Sequence, residues 1–183
     1  PLHLAVDSGR TSWDRGIAAI HDAYPPAISS AEDGSRRWMP LHTAAASHSA
    51  GLGLIQKIIE LDNRDHHAAS VPDGEGRYPL HLACAANRSW EEGGVRDIFD
   101  ADPSMALSED SGGLFPFHIA AIRSSRSVPS PSAASNVADG GGNELENKTL
   151  ENTVREDVED DDDLETLEVL FNLLIAQPSV VQV

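Results

Sequence analysis

The sequence is poor in several residue types, and each shortage excludes or disfavours a structural feature or a class of partner. Its single cysteine, Cys84, rules out a disulfide within the chain. It is also consistent with a reducing compartment, so we expect an intracellular location, in the cytoplasm or the nucleus. Aromatic residues make up only 5% of the 183 residues, so a core must be built mainly from Leu, Ile, Val and Ala. No run of 18 apolar residues occurs, and we expect no membrane span.

Basic residues are also scarce. The chain has 13 Lys and Arg against 30 Asp and Glu, which gives a formal net charge of −17. Nucleic acid is therefore not expected as a direct partner, because binding phosphates requires a basic patch. A protein partner with a basic or apolar surface suits this charge better. The sequence also lacks the Gly-rich phosphate loops and the Gly-x-Ser-x-Gly motif that carry common chemistries.

A short pattern recurs four times in the chain. Its first prolines are separated by 39, 39 and 37 residues, and this near-constant spacing is typical of a repeat protein. The four copies are Pro1-Leu2-His3-Leu4-Ala5, Pro40-Leu41-His42-Thr43-Ala44, Pro79-Leu80-His81-Leu82-Ala83 and Pro116-Phe117-His118-Ile119-Ala120.

Each copy is expected to begin a short helix, followed by a longer one. Proline is favoured at the first helical position, where its missing N–H would be unpaired anyway. The residue after it and the alanine three positions later then share one face. Apolar residues at helical spacing predict the longer helices: Trp13, Ile17, Ile20 and Tyr24; Leu54, Ile55, Ile58, Ile59 and Leu61; Val95, Ile98 and Phe99; Leu164, Leu167, Val169, Leu170, Phe171, Leu173 and Leu174.

Two further features recur with the same period. Proline disfavours helix in the preceding residue, so three of the long helices are predicted to end at Ala23-Tyr24-Pro25, Ala101-Asp102-Pro103 and Ala176-Gln177-Pro178. Glycines, which permit the positive φ of tight turns, precede the second, third and fourth repeat prolines. They belong to Asp33-Gly34, to Asp73-Gly74 with Gly76, and to Asp110 with Gly112 and Gly113.

These residues resemble the ankyrin repeat family, whose pattern is a β-turn, then Thr-Pro-Leu-His-x-Ala opening one helix, then a second helix. The resemblance implies an all-α, helix-turn-helix solenoid of about four units with short turns or rudimentary β-hairpins. The period here exceeds the family's roughly 33 residues. Met39, Tyr78 and Phe115 replace the family's threonine. They cannot cap a helix, a loss of about 1 kcal/mol, but they can bury apolar surface.

We predict one repeat domain over residues 1–183. Within it, residues 124–163 form an insertion between the two helices of the last repeat, with 11 acidic and 3 basic residues and few large apolar ones. This composition is typical of disorder. The acidic run 156–163 lacks the alternating pattern of a calcium loop, so a solvated loop is the favoured interpretation. The repeats are expected at about 1–39, 40–78, 79–115 and 116–183.

Eight histidines invite a metal or catalytic interpretation. Four of them share one repeat position, and the ankyrin resemblance implies that they form hydrogen bonds linking neighbouring turns. One repeat spacing, on the order of 10 Å, is also too long for a shared metal ion. His66 and His67 are adjacent and have no third ligand nearby, and Cys84 is expected to be buried. We therefore predict no metal, no cofactor and no catalytic residue.

The predicted function is a non-enzymatic protein–protein interaction module that presents a repeat surface. Because the chain begins inside a repeat, we expect it to belong to a longer protein, and the alternative is a regulatory or targeting segment of a larger enzyme. Trp13, Trp38 and Trp90 are either partner anchors or covers for helix ends. The candidate partner contacts lie just before the repeat prolines: Arg36, Arg37, Trp38, Met39, Glu75, Arg77, Tyr78, Leu114 and Phe115.

Overall fold

A computed structural model describes residues 2–8, 12–62, 68–124 and 161–176. Over these ranges the chain forms eight α-helices and no β-strand, which confirms the all-α prediction. The helices are α1 (Leu2–Asp7), α2 (Arg15–Ala23), α3 (Pro40–Ala46), α4 (Leu52–Asp62), α5 (Pro79–Ala85), α6 (Val95–Ala101), α7 (Pro116–Ser124) and α8 (Asp161–Ala176).

The helices contact one another in a regular order. Each odd-numbered helix packs against the even-numbered helix that follows it. The odd-numbered helices also contact one another in succession, α1 with α3, α3 with α5, and α5 with α7. One continuous core runs through these contacts. Its fully buried large side chains include Leu41, Leu80, Leu54, Ile58 and Ile98.

The starts of α3 and α5 follow directly from the sequence. Pro40 and Pro79 occupy the first helical position as predicted. The residue before each proline is extended and makes no side-chain cap, as expected for Met39 and Tyr78. Ala44 and Ala83 are fully buried, which leaves room for the close approach of neighbouring helices.

Two of the even-numbered helices end where a following proline predicts it. α2 and α6 end at Ala23 and Ala101, as predicted from the Ala-x-Pro sequences. α8 is helical up to Ala176, the last residue described at that end. The start of α2 is set by Asp14, whose carboxylate accepts the N–H groups of Gly16 and Ile17. The helical spacing had not shown the short 3₁₀ segments that follow three of these helices, at Pro25–Ile28, Ala68–Ser70 and Pro103–Leu107.

The predicted disordered insertion, residues 124–163, lies outside the described residues except at its ends. These ends are helical, since α7 extends to Ser124 and α8 begins at Asp161, three residues before the predicted start. The acidic run is therefore not a separate loop over its last three residues. Among the described helices, none combines the length and apolar character needed to cross a membrane.

Candidate functional site

The predicted contact residues lie in three turns, each directly before an odd-numbered helix. The second and third turns close in the same way. The Asp73 N–H donates to the Arg77 carbonyl at 2.8 Å, and the Asp110 N–H donates to the Leu114 carbonyl at 2.9 Å. In the first turn, the Glu32 N–H donates to the Trp38 carbonyl at 2.8 Å. The second and third turns therefore share one backbone shape, and the first turn is two residues longer.

Neighbouring turns are bonded to each other through their backbones. The Gly74 N–H donates to the Arg36 carbonyl at 2.6 Å, and the Ser111 N–H donates to the Glu75 carbonyl at 3.0 Å. The approach at Gly74 is so close that a Cβ there would lie 1.8 Å from the Ser35 carbonyl oxygen. Only glycine fits at this point. The three turns therefore form one continuous surface.

Asp73 is the centre of this surface, and its side chain is fully buried. Its Oδ1 accepts the backbone N–H groups of Glu75 and Arg77, and its Oδ2 accepts both Nε and Nη2 of Arg77 and Nε1 of Trp38. Burial alone would raise the pKa of this carboxyl, but these hydrogen bonds outweigh burial and lower it. Asp73 is therefore ionised, and its hydrogen bonds join two neighbouring turns.

Trp38 lies between two arginines. Its ring centroid is 5.1 Å from the Arg36 guanidinium carbon and 6.0 Å from that of Arg77. These distances permit cation–π attraction. The indole N–H donates to Asp73 at 2.9 Å, which fixes the orientation of the ring, and the residue is only partly buried. The indole ring of Trp38 therefore has a guanidinium group near it from each of two turns.

Arg37 has a backbone conformation that its side chain disfavours. Its φ is +53°, in the left-handed region, and the equivalent residues of the next two turns are Gly76 at +74° and Gly113 at +75°. Each of the three stands three residues before its repeat proline. An arginine in place of this glycine costs on the order of 1 kcal/mol. Strain retained at an exposed position points to a function for that side chain.

The nine predicted contact residues differ in accessibility. Three are exposed: Arg36, Arg37 and Glu75. Five are partly buried: Trp38, Arg77, Tyr78, Leu114 and Phe115. Met39 differs from the others, because it is 8% exposed and belongs to the core. We call the other eight residues the turn surface.

The repeated histidines bind backbone groups, as the structural interpretation predicts. Nδ1 of His42, His81 and His118 accepts the N–H of Met39, Tyr78 and Phe115 at 3.2, 3.2 and 3.3 Å. A backbone N–H can only donate, so Nδ1 is the acceptor and the ring proton lies on Nε2. Nε2 of His3 and His81 then donates to a carbonyl of the next turn, Trp38 at 2.8 Å and Leu114 at 3.1 Å.

His42, like His81, has no exposed surface. Among the described residues its Nε2 makes no hydrogen bond of good geometry, although the backbones of Arg77 and Val71 lie near enough to raise the pKa of His42. Burial lowers the pKa of His42 from 6.5 to about 4, against the attraction of Asp73. The folded chain therefore takes up this proton only under strongly acidic conditions.

We expect the free energy of unfolding to fall by about 2 kcal/mol between pH 7 and pH 5 because of His42 alone. The unfolded chain binds the proton near pH 6.5, whereas the folded chain resists it down to about pH 4. Lowering the pH through this window therefore favours the unfolded state. Urea titrations at the two pH values measure the difference.

His42→Gln should remove most of this pH dependence, although its stability at pH 7 is lower from the start. His48→Gln is the matched control, since His48 is exposed and lies in the connection between α3 and α4. It should keep the wild-type fall in stability. A His42→Gln chain that loses as much stability as wild type between pH 7 and pH 5 would contradict the assignment.

Arg88 is a buried residue that the sequence patterns did not reveal. It is 7% exposed, and its guanidinium donates to three backbone carbonyls, those of Gly93 and Ala50 at 2.5 Å and that of Ser47. Burial lowers the pKa of Arg88. These hydrogen bonds of Arg88, which we call the Arg88 clamp, join the connection after α3 to the connection after α5. They lie beside a cavity of about 420 Å³. No local pattern marks such a contact, because two of its three partners, Ser47 and Ala50, lie about 40 residues away in the chain.

The other residues considered for reactivity, metal binding or partner contact are described next. Cys84 is buried, and burial raises the pKa of its thiol to about 12, which disfavours a nucleophilic thiolate. Trp90 is buried and packs against Phe99 of α6. His66 and His67 lie outside the described residues. Within the described ranges, no three His, Cys, Asp or Glu side chains gather in a way that could hold a metal ion.

Comparisons with known proteins assign no family. No protein-family model matches the chain, and no curated protein matches it. The turn surface is thus interpreted from its own residues.

Proposed function

We propose that the chain is an ankyrin-like repeat module whose turn surface binds a protein partner, without enzymatic activity of its own. The contacts between successive odd-numbered helices support a stacked array, since α1 meets α3, α3 meets α5 and α5 meets α7. The repeated histidine bonds and the bonded turns support the same arrangement. Such an array offers an extended surface and encloses no catalytic pocket.

The backbone conformation of Arg37 is the main support for placing the binding surface at the turns. An exposed arginine stands where the two equivalent turns have glycine, at a positive φ that costs stability. Glycine would relieve this cost, so stability alone does not account for the arginine. Contact with a partner does.

The chemistry of the surface favours a partner segment that carries carboxylates beside an apolar side chain. Arg36 and Arg37 are exposed cations on a chain whose formal net charge is −17. Arg77, by contrast, is already paired with Asp73 and Glu75. The accessible part of Trp38 between the arginines supplies apolar contact, and tryptophan and arginine are common among the residues that dominate interfaces.

Arg37→Gly should separate binding from stability. It removes the charge and the backbone strain together, so the free energy of unfolding should rise by about 1 kcal/mol. Partner recovery in affinity capture from native lysate should fall strongly. Urea denaturation and quantitative mass spectrometry of the captured proteins measure the two effects.

Arg123→Gln is the control for charge alone, because Arg123 is exposed on α7, away from the turns. It should leave the captured set unchanged. A stabilised Arg37→Gly chain that captures the same proteins in the same amounts would remove the turn surface from consideration.

A further inference from the structure

Helix α8 carries an apolar stripe that no described residue covers. Leu167, Phe171 and Ile175 are 54%, 63% and 60% exposed, and their spacing of four residues places them on one face. The opposite face is buried, with Val169 and Leu173 in the core where α8 packs on α7. Large apolar side chains aligned in this way on a surface are typical of an interaction site.

The repeat architecture does not require this stripe. α6 and α8 both end at an alanine two residues before a proline, so Phe171 and Ile175 stand where α6 has Arg96 and Asp100. In α6 these two residues form an exposed ion pair at 3.6 Å. The same positions in α2 hold Ala18 and Asp22. Among these three helices, α8 alone has large apolar residues at both positions.

The charge around the stripe indicates which kind of partner can bind there. The sequence of α8 contains five acidic residues and no lysine or arginine, and Glu168 is exposed beside the stripe. A second copy of the chain would bring like charges together, and like charges facing one another oppose association. A helix with basic residues beside an apolar face is complementary to both features.

We propose that the stripe Leu167–Phe171–Ile175 binds an amphipathic helix of a partner protein, with apolar residues seated on the stripe and lysine or arginine facing the exposed Glu168 beside it. This surface lies on α8 and is distinct from the turn surface. Its assignment does not depend on what the turns bind.

The probe is a fluorescein-labelled peptide of about 18 residues, built from leucine and lysine at helical spacing and long enough to form a helix. The full chain should bind it, as measured by fluorescence anisotropy. A scrambled peptide of the same composition has the same charge but no apolar face, and it should bind at least about tenfold more weakly. The comparison separates helix docking from simple attraction to an acidic protein.

Variants of the chain locate the binding site. Leu167→Gln, Phe171→Gln and Ile175→Gln together should weaken binding about tenfold or more, since large apolar contacts dominate such interfaces. Phe171→Gln alone should weaken binding measurably and covers the case in which the triple variant misfolds, which circular dichroism would reveal. Glu168→Gln should reduce the salt dependence of binding. Leu107→Gln changes an exposed leucine outside α8 and should have no effect.

Three results would overturn the proposal. Equal affinity for the ordered and scrambled peptides would reduce the interaction to charge. Unchanged affinity of the Phe171→Gln chain would place the peptide elsewhere. A wild-type chain that sediments as a dimer, and becomes monomeric in the triple variant, would show that a second copy covers the stripe.

Discussion

Replacing Asp73 with asparagine is expected to lower the free energy of unfolding by about 3 kcal/mol. The amide oxygen of asparagine can still accept the N–H groups of Glu75 and Arg77. Its NH₂ group, however, would face the Trp38 indole N–H and the two donors of the Arg77 guanidinium. Donors would then oppose donors at a fully buried position, and a buried charge pair would lose its anion.

Asp110→Asn provides a matched control in the next turn. Asp110 accepts the N–H groups of Gly112 and Leu114 through Oδ1, as Asp73 does for its own turn. Within the described part of the chain no donor reaches its other oxygen, so asparagine preserves the bonds that matter. We expect a loss below about 1 kcal/mol. Urea denaturation followed by circular dichroism compares the variants, and equal losses would mean that the Trp38–Asp73–Arg77 contacts contribute little.

Replacing Arg88 with alanine should destabilise the chain by about 4 kcal/mol. The substitution removes a charged donor from three backbone carbonyls, those of Ser47, Ala50 and Gly93, and it also removes the packed side-chain stem. Two of these carbonyls belong to the connection after α3 and one to the connection after α5. The loss therefore loosens two connections at once, and the denaturation midpoint should shift accordingly.

Two further arginine variants test whether the loss of stability comes from the hydrogen bonds of Arg88 or from its charge. Arg88→Lys keeps the charge but cannot direct donors to three carbonyls, so it should recover only part of the stability. Arg96→Ala removes an exposed arginine that pairs with Glu91 and Asp100, and its midpoint should stay close to wild type. A midpoint for Arg88→Ala that matches that of Arg96→Ala would show that the clamp is not a stabilising element.

The parts of the fold that follow from local rules were accessible from the sequence. The helix starts at Pro40 and Pro79 and the helix ends at Ala23 and Ala101 depend on a few adjacent residues. The start of α8 was placed too late because an acidic run resembles a solvated loop, although acidic residues are also favourable at a helix N-terminus.

The candidate site was only partly accessible, because its decisive contacts join residues far apart in the chain. Trp38 and Asp73 are separated by 35 positions, and Arg88 and Ala50 by 38. A repeat pattern predicts which turns are neighbours, but not which side chains meet between them. Met39 shows the same limit, since it occupies the same position as the partly exposed Tyr78 and Phe115 yet lies in the core.

The backbone bonds between neighbouring turns have a consequence for local opening. Because the Gly74 N–H is held by the Arg36 carbonyl and the Ser111 N–H by the Glu75 carbonyl, neither amide can exchange its hydrogen with solvent until two turns separate. These two amides therefore report the separation of adjacent repeats, independently of whole-chain unfolding. Asp73 bonds to residues of the first two turns, so Asp73→Asn should accelerate exchange at Gly74 far more than at Ser111.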